Sequence, residues 1–509
     1  MFHWGLGSSS EKNRILLLKA LNRILTMSEL NNYIDFHCHP ALKPYGRSFR
    51  SVPEGIQSRH RSHKTSLWRY DPPSWTDKLL NYVGGLTKFS QSNGHALARG
   101  GVGVICASLY PLEKGFVNNA IEPDPLNDLL LNFATGLGDA RIDFLQGMKD
   151  YFKDLEREYR FYRQCHGHRV RLPEGQFQYR LVRNYDEIEA LGRSGESSGD
   201  LKTLCMVMSI EGLHVLNTGL GHQPDPARVL EHLKRIKAWE FPPFFITVAH
   251  HFWNHLCGHA PSLRGIVKKY ADQTEGMGQG ITPLGRQVLT AMLSPEDGPR
   301  ILPDLKHMSG RAREEFYSLR ETGALGPSDF PLLISHGACN GLKSFQDPYP
   351  GPLPTARLMN PVEINFYDSE IIAIARSGGL IGLQLDERRI ASKTALGEVK
   401  HSLLRHKIMH YRSELLWRQV QHIAETLDRA GEFAWDCMAI GSDFDGIIDS
   451  LNGFWTAEEL PFLSDFLERH AYNYLKTATW RLPENQIDAD QVVERIFSRN
   501  GHRFLKVHF

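Results

Sequence analysis

Eight short apolar runs, spaced along the chain and separated by longer helical or loop segments, constrain the fold more than any other feature. They are Tyr33–His37, Gly101–Leu109, Leu204–Glu211, Phe244–His250, Ile301–His307, Pro331–His336, Gly379–Leu385 and Met438–Asp443. Near-continuous apolar strands alternating with helical stretches are the pattern of parallel strands covered on both faces. Eight such strands close a (β/α)8 barrel. The expected fold class is therefore α/β, a (β/α)8 TIM barrel with enlarged loops and extra helices. At 509 residues the chain is about twice the length of a plain barrel of ~250 residues. The surplus falls near 41–99, 140–200, 255–298 and 340–362, segments too long for ordinary connections and expected to carry helices and lids over the barrel mouth. Residues 1–30 read as an N-terminal helical extension, and 31–509 as a single barrel domain with those insertions. Leu404, Ile408, Tyr411, Leu415, Leu416, Ile423 and Leu427 keep helical spacing, as an outer barrel helix should. The Gly/Ser-rich patch Gly192–Gly199 reads as an exposed loop.

The residues that end these runs carry the functional signal. His37, Glu211, His250, His307, His336 and Asp443 stand at or near six of the eight strand ends. Residues at the C-terminal rim of barrel strands converge on one mouth. In Asp35-Phe36-His37-Cys38-His39-Pro40 the two histidines are two residues apart, so a strand presents both on one face. Neutral imidazole is a good zinc ligand; two core or surface histidines are the alternative. Cys38 points to the opposite face and reads as a core residue. In Ser209-Ile210-Glu211-Gly212 the carboxylate leaves an apolar strand, where it can bridge two cations or cap a following helix. Asp304-Leu305-Lys306-His307-Met308-Ser309 and Leu333-Ile334-Ser335-His336-Gly337 each place a histidine where a strand meets a turn. In Ile440-Gly441-Ser442-Asp443-Phe444-Asp445-Gly446, Asp443 can hold a metal and accept a proton from bound water, whereas Asp445 reads as a turn former. Taken together, such a group at one rim would be costly to bury without cations.

Composition bounds the remaining classes. Lys+Arg total 59 against 58 Asp+Glu, so the near-neutral chain lacks the clustered charge of a general nucleic-acid or anionic-membrane surface. No run of ~18 apolar residues is present to span a bilayer. The N-terminal apolar stretch is broken by Lys19, Asn22 and Arg23 and reads as an amphipathic helix rather than a secretory signal; no lipid-anchor signal is evident at the other end. Seven cysteines scattered through a long chain do not make a disulfide framework, so a cytoplasmic setting is expected. Several of the 24 histidines lie outside the strand ends. Cys165-His166-Gly167-His168 sits in a polar segment without a second ligand pair. His255, Cys257 and His259 read as a loop packed by its own side chains. Arg59-His60-Arg61-Ser62-His63-Lys64 reads as a solvated insertion.

These motifs resemble the membrane dipeptidase (renal dipeptidase) family of the amidohydrolase superfamily. The resemblance runs from about Tyr33 to Leu505. It takes in Gly100-Gly101-Val102-Gly103, Ser209-Ile210-Glu211-Gly212, Ile246-Thr247-Val248-Ala249-His250, Thr282-Pro283-Leu284-Gly285, the His307 and His336 motifs, Gly441-Ser442-Asp443-Phe444-Asp445-Gly446 and Ile496-Phe497-Ser498-Arg499-Asn500. The resemblance implies a metal-dependent hydrolase that cleaves the amide bond of dipeptides by a metal-bridged hydroxide. It implies two zinc ions bridged by Glu211, one held by His37 and His39 and the other by His307 and His336, with Asp443 as acid/base. His250 would contact the substrate at the scissile carbonyl, and Arg357, followed by Asn360, would bind its carboxylate. The chain departs from the family in two places: the family's first-strand motif is His-x-Asp where this chain has His39, and the spacing from Arg357 to Asn360 is looser. Hydrolysis of an N-acyl amino acid or a lactone on the same site is the alternative chemistry, and a non-catalytic barrel that binds a ligand is the alternative class. The implied partner is a small molecule, with no nucleic acid and no membrane span, and the family's dimers raise a homodimer as a candidate assembly.

Overall fold

A computed structural model of the chain describes residues 33–50, 62–84, 87, 89–117, 136–198, 201–263, 271–399, 402 and 404–509. The expected N-terminal helix, 1–30, lies outside the described residues, as does the first half of the basic run 59–64. Ten strands follow in chain order: β1 (Tyr33–Cys38), β2 (Val102–Leu109), β3 (Val170–Leu172), β4 (Gly175–Val182), β5 (Leu201–Glu211), β6 (Phe245–Thr247), β7 (Leu302–Asp304), β8 (Leu333–Gly337), β9 (Leu380–Leu383) and β10 (Met438–Ile440).

Eight of them close on themselves. β1 pairs with β2, β2 with β5, and pairing continues through β6, β7, β8, β9 and β10 back to β1, every pairing parallel. This is a (β/α)8 barrel, and each of its strands lies within or across one of the apolar runs. Residues of β2, β6, β7, β8, β9 and β10 are buried without exception, as strands covered on both faces must be. Inside, Gly441 lets β10 approach β8: a Cβ there would lie 2.1 Å from the Ser335 carbonyl oxygen.

The remaining two strands were not among the runs. β3 and β4 form an antiparallel hairpin, and β4 lies parallel to the first part of β5, leaving the last part of that edge to β6. The hairpin belongs to the 140–200 insertion, which also contains helices Asp139–Gln146, Tyr151–Gln164 and Tyr185–Ser198. The last of these corrects the reading of the Gly/Ser-rich patch: the helix runs on through Ser198 instead of opening into a loop.

Helix boundaries follow local chemistry. The Thr282 hydroxyl accepts from the Gly285 amide and Pro283 takes the first turn, so Thr-Pro-Leu-Gly starts helix Pro283–Leu293. Ser309 caps helix Gly310–Glu321 in the same way just after His307. The long amphipathic helix spans Arg405–Ala430 and ends at Gly431 with φ 78°. The C-terminal helix Asn500–His508 docks on the barrel wall: the Asn500 amide donates to the carbonyls of Trp435 and Met438, and Phe504 meets Phe36 of β1 edge-on. Among the described residues, no helix is long and apolar enough to cross a membrane.

Candidate metal centre

The barrel mouth gathers the strand-end residues around one carboxylate. Oε1 of Glu211 lies 3.5 Å from Nε2 of His37, of His250 and of His307, and 3.6 Å from Nε2 of His336. Its Oε2 lies 3.1 Å from Nε2 of His39. Asp443 stands on the far side, with Oδ1 3.6 Å from His39 Nε2 and Oδ2 3.9 Å from His336 Nε2. Five imidazoles and two carboxylates are thus brought together from β1, β5, β8 and the turns after β1, β6, β7 and β10, nearly all withdrawn from solvent. Two of them sit on left-handed backbone, His307 at φ 67° and Asp443 at φ 59°, conformations that cost a non-glycine residue energy and tend to occur at functional sites. Gly446 makes room for the second: a Cβ there would lie 2.0 Å from Asp443 Oδ1.

An outer ring of oxygens fixes the imidazoles. His39 Nδ1 donates to the Ser108 carbonyl, 3.2 Å, which turns Nε2 inward to Glu211 and Asp443. The Ser335 hydroxyl lies 3.0 Å from Nδ1 of both His37 and His336 and donates to Asp304, whose other donors are Thr247 and two backbone amides. His250 Nδ1 donates to Glu113, 2.6 Å, a carboxylate that also accepts the amides of His251 and Phe252. Gln384 donates to Asp443 Oδ2, 2.7 Å, and accepts from the buried ammonium of Lys306, 3.2 Å. Asp35 accepts the Ser442 hydroxyl and amide, tying β1 to the turn that carries Asp443. Asp445 is buried and accepts from Lys43 and from the Gln91 and Ser92 amides, partners far along the chain, while its backbone takes a left-handed turn conformation, φ 68°.

The electrostatics of this cluster divide its histidines. Burial disfavours the His39 imidazolium, but the charges of Glu211 and Asp443 outweigh it and push the group up to about 10. His250 is likewise raised against burial by Glu211 and Glu113. Burial and neighbouring histidines hold His251, His307 and His336 well below the usual imidazole range. Glu211 stays ionised far below the usual carboxylate range, because the surrounding imidazoles overcome its burial. Burial drops the Lys306 ammonium to about 7 and lifts Asp35 to about 6.

The donor set fits divalent cations. Nε2 of His336 and Nδ1 of His307 are buried without a hydrogen-bond partner among the described residues, an arrangement that carries a desolvation cost. Three groups have ligand atoms within 4.8 Å of one another: His37 with Glu211 and His336, His37 with His39 and Asp443, and His250 with His251 and His307. A cation between such atoms would take the stranded Nε2 of His336 and balance the two carboxylates.

The cavity beside this cluster has a volume of about 110 Å³, and its walls include His250, His251, Lys306, Arg388, Arg389 and Asp443. Neither Arg357 nor Asn360 is among its lining residues. Arg357 is exposed on the short helix Pro354–Leu358, and the Asn360 amide is spent on the Arg388 carbonyl, 2.6 Å. The cationic residues on its wall are Lys306, after β7, and Arg388 and Arg389 of the short helix Glu387–Ile390 after β9, of which Arg388 is paired with Asp386 in the same lining. Nearness in sequence to His336 does not bring Arg357 into this wall. Glu113, His251, Lys306, Gln384, Arg388 and Arg389 line the cavity or contact the cluster, and the sequence reading did not single them out. The His-His pair at 250–251 was the one visible signal among them.

His166 accepts the Leu181 amide and Cys165 is buried, while His259 is held by the Ala260 and Glu275 carbonyls.

No family model and no curated relative matches this chain. Several solved structures are similar to it. A dipeptidase described as a metallopeptidase of family M19 is 14% identical, with a TM-score of 0.49 over 94% of this chain and 98% of its own. A metallopeptidase from Rhodobacter sphaeroides, solved with a phosphinate mimic of the dipeptide L-Ala-D-Ala, is 14% identical, with a TM-score of 0.49 over 94% and 99%. The probable dipeptidase PvdM from Pseudomonas aeruginosa is 15% identical, with a TM-score of 0.45 over 82% and 88%.

Proposed function

We propose that this chain is a metal-dependent hydrolase that cleaves the amide bond of dipeptides at a pair of zinc ions. The observation that carries the reading is the ring of five imidazole Nε2 atoms around the buried Glu211 carboxylate, with Asp443 beside it. In this reading Glu211 is the shared ligand, His37 and His39 hold one cation, and His307 and His336 hold the other. When bound, the cations lower the pKa of coordinated water towards neutrality and polarise the substrate carbonyl.

The chain's own residues do the rest. Asp443 moves the proton: Gln384 occupies its Oδ2, which leaves Oδ1 towards the cluster to accept a proton and return it to the leaving amine. His250 is aimed by Glu113, so its Nε2–H is positioned to donate to the carbonyl oxygen as charge develops there. Arg388 is paired with Asp386, so Arg389 beside it gives this side of the cavity its positive charge, suited to a substrate with a free carboxylate. That charge favours dipeptides and N-acyl amino acids over an uncharged lactone. The intact set of ligand types favours an enzyme over a non-catalytic barrel. All seven cysteines are buried free thiols, which supports a reducing, cytoplasmic setting.

Steady-state kinetics on dipeptides, N-acyl amino acids and lactones test the assignment. Dipeptides should show the highest kcat/KM, and loss of turnover on chelation should reverse with added zinc. Turnover of lactones alone would overturn the substrate class, and turnover unaffected by chelation would overturn the mechanism.

A further inference from the structure

We infer that His251, one residue beyond the substrate-facing histidine, is an additional ligand to the cation on the His307 side. The inference rests on the metal centre proposed above and extends its ligand set.

His250 and His251 are neighbours whose rings lie 3.9 Å apart, yet their surroundings assign them different chemistry. His250 Nδ1 meets a carboxylate, Glu113, at 2.6 Å, a pairing that favours a proton on both ring nitrogens and makes Nε2 a donor. His251 Nδ1 meets a hydroxyl, Ser262, at 2.5 Å. That hydroxyl keeps a lone pair free to accept from the imidazole: the Gln273 amide takes only one, donating to the same Oγ, 2.7 Å, and also to the His251 carbonyl, 2.6 Å. With Nδ1–H donating to Ser262, the lone pair of His251 sits on Nε2. This is how metal-binding imidazoles are commonly held, the second nitrogen donating to an oxygen that fixes tautomer and ring orientation.

The placement agrees. His251 lines the cavity, its ring centroid is 5.0 Å from that of His307, and the ligand atoms of His250, His251 and His307 lie within 4.8 Å of one another. The backbone is pinned on both sides, by the His251 amide on Glu113 and by the Ser262 carbonyl on Arg389. The first-strand motif supplies an imidazole, His39, where the resembled family has a carboxylate. An imidazole at His251 would make the second cation site nitrogen-rich as well, a set that suits zinc or cobalt better than magnesium or calcium.

The test is metal binding by the full-length chain, stripped by chelation and titrated calorimetrically with Zn(II) and Co(II). Wild-type protein should take up two equivalents. His251→Ala should keep one at wild-type affinity and bind the other at least roughly 10- to 100-fold more weakly, and Ser262→Ala, which leaves the imidazole in place, should weaken the same cation by about 10-fold. X-ray absorption of the Co(II) form should report fewer imidazoles per metal in His251→Ala. Two equivalents at unchanged affinity in both variants would overturn the inference while leaving the proposed function standing. A folded wild-type chain that takes up neither cation would overturn both.

Discussion

Replacing Glu113 by Gln isolates one charge in the site while keeping its shape. The carboxylate accepts His250 Nδ1–H at 2.6 Å and the Phe252 and His251 amides at 3.0 and 3.2 Å. A glutamine can keep both amides on its carbonyl oxygen, which turns its NH2 towards His250 Nδ1. That nitrogen must then give up its proton, leaving a neutral ring with the hydrogen on Nε2. A hydrogen bond to a charged group contributes about 1.5–3 kcal/mol, so kcat for a dipeptide should fall roughly 10- to 150-fold. The pH profile should move in a defined direction. Glu113 helps raise His250, and the imidazolium is present below its pKa and lost above it. Removing the carboxylate lowers that pKa, so the alkaline limb of kcat/KM should shift to lower pH. The assay is a pH series of kcat and kcat/KM on metal-loaded Glu113→Gln, with metal content measured on the same sample. A kcat within twofold of wild type and an unmoved alkaline limb, with the metal retained, would refute the role given to the Glu113–His250 pair.

Three further outcomes follow from the geometry. Arg389→Ala should raise KM for a dipeptide by roughly 10- to 150-fold, the loss of one charged contact, whereas Arg357→Ala should leave KM unchanged; steady-state kinetics of the two variants decide between the two anchors. Gly446→Ala would set a Cβ 2.0 Å from Asp443 Oδ1 and should lower kcat by about 100-fold, the effect of misplacing a reacting group by ~1 Å, with near-native circular dichroism. Behind the cavity-lining Tyr110, whose amide Glu158 accepts, burial and Asp154 raise the Glu158 carboxyl to about 8. The folded chain therefore binds more protons there than the unfolded chain, whose carboxyl titrates near 4.5. This contribution to stability is present at low pH and is lost as pH rises through about 8. Glu158→Gln should be more stable than wild type at pH 8, with the gap opening by roughly 1 kcal/mol per pH unit or less between pH 5 and 8, as read by denaturant unfolding.

The barrel was legible because burial on both faces writes continuous apolar runs, and the strand-end chemistry was legible because six of those eight runs stop on a histidine or a carboxylate. The β3–β4 hairpin also left a trace: Phe177, Tyr179 and Leu181 alternate with Gln176, Gln178 and Arg180. That period of two describes a strand with one wet face, not the buried type that defined the other eight. The second layer of the site was hidden for another reason. Glu113 finds His250 137 positions away, and Ser335 finds His37 298 positions away, so only chain closure reveals the contact. Arg357 was expected at the mouth but does not line the cavity, because distance along the chain does not measure distance around a barrel mouth. Arg389 follows β9 and reaches the cavity, while Arg357, nearer to His336 in sequence, stays on the surface.

The shared carboxylate is the centre of the account, and metal content with and without it is the most direct test. Purified wild-type chain, analysed by mass spectrometry of its metals, should hold close to two zinc ions and hydrolyse a dipeptide. Glu211→Gln, folded by circular dichroism, should lose both. A folded wild-type chain that hydrolyses dipeptides without bound metal, or a Glu211→Gln variant that retains two ions, would contradict it.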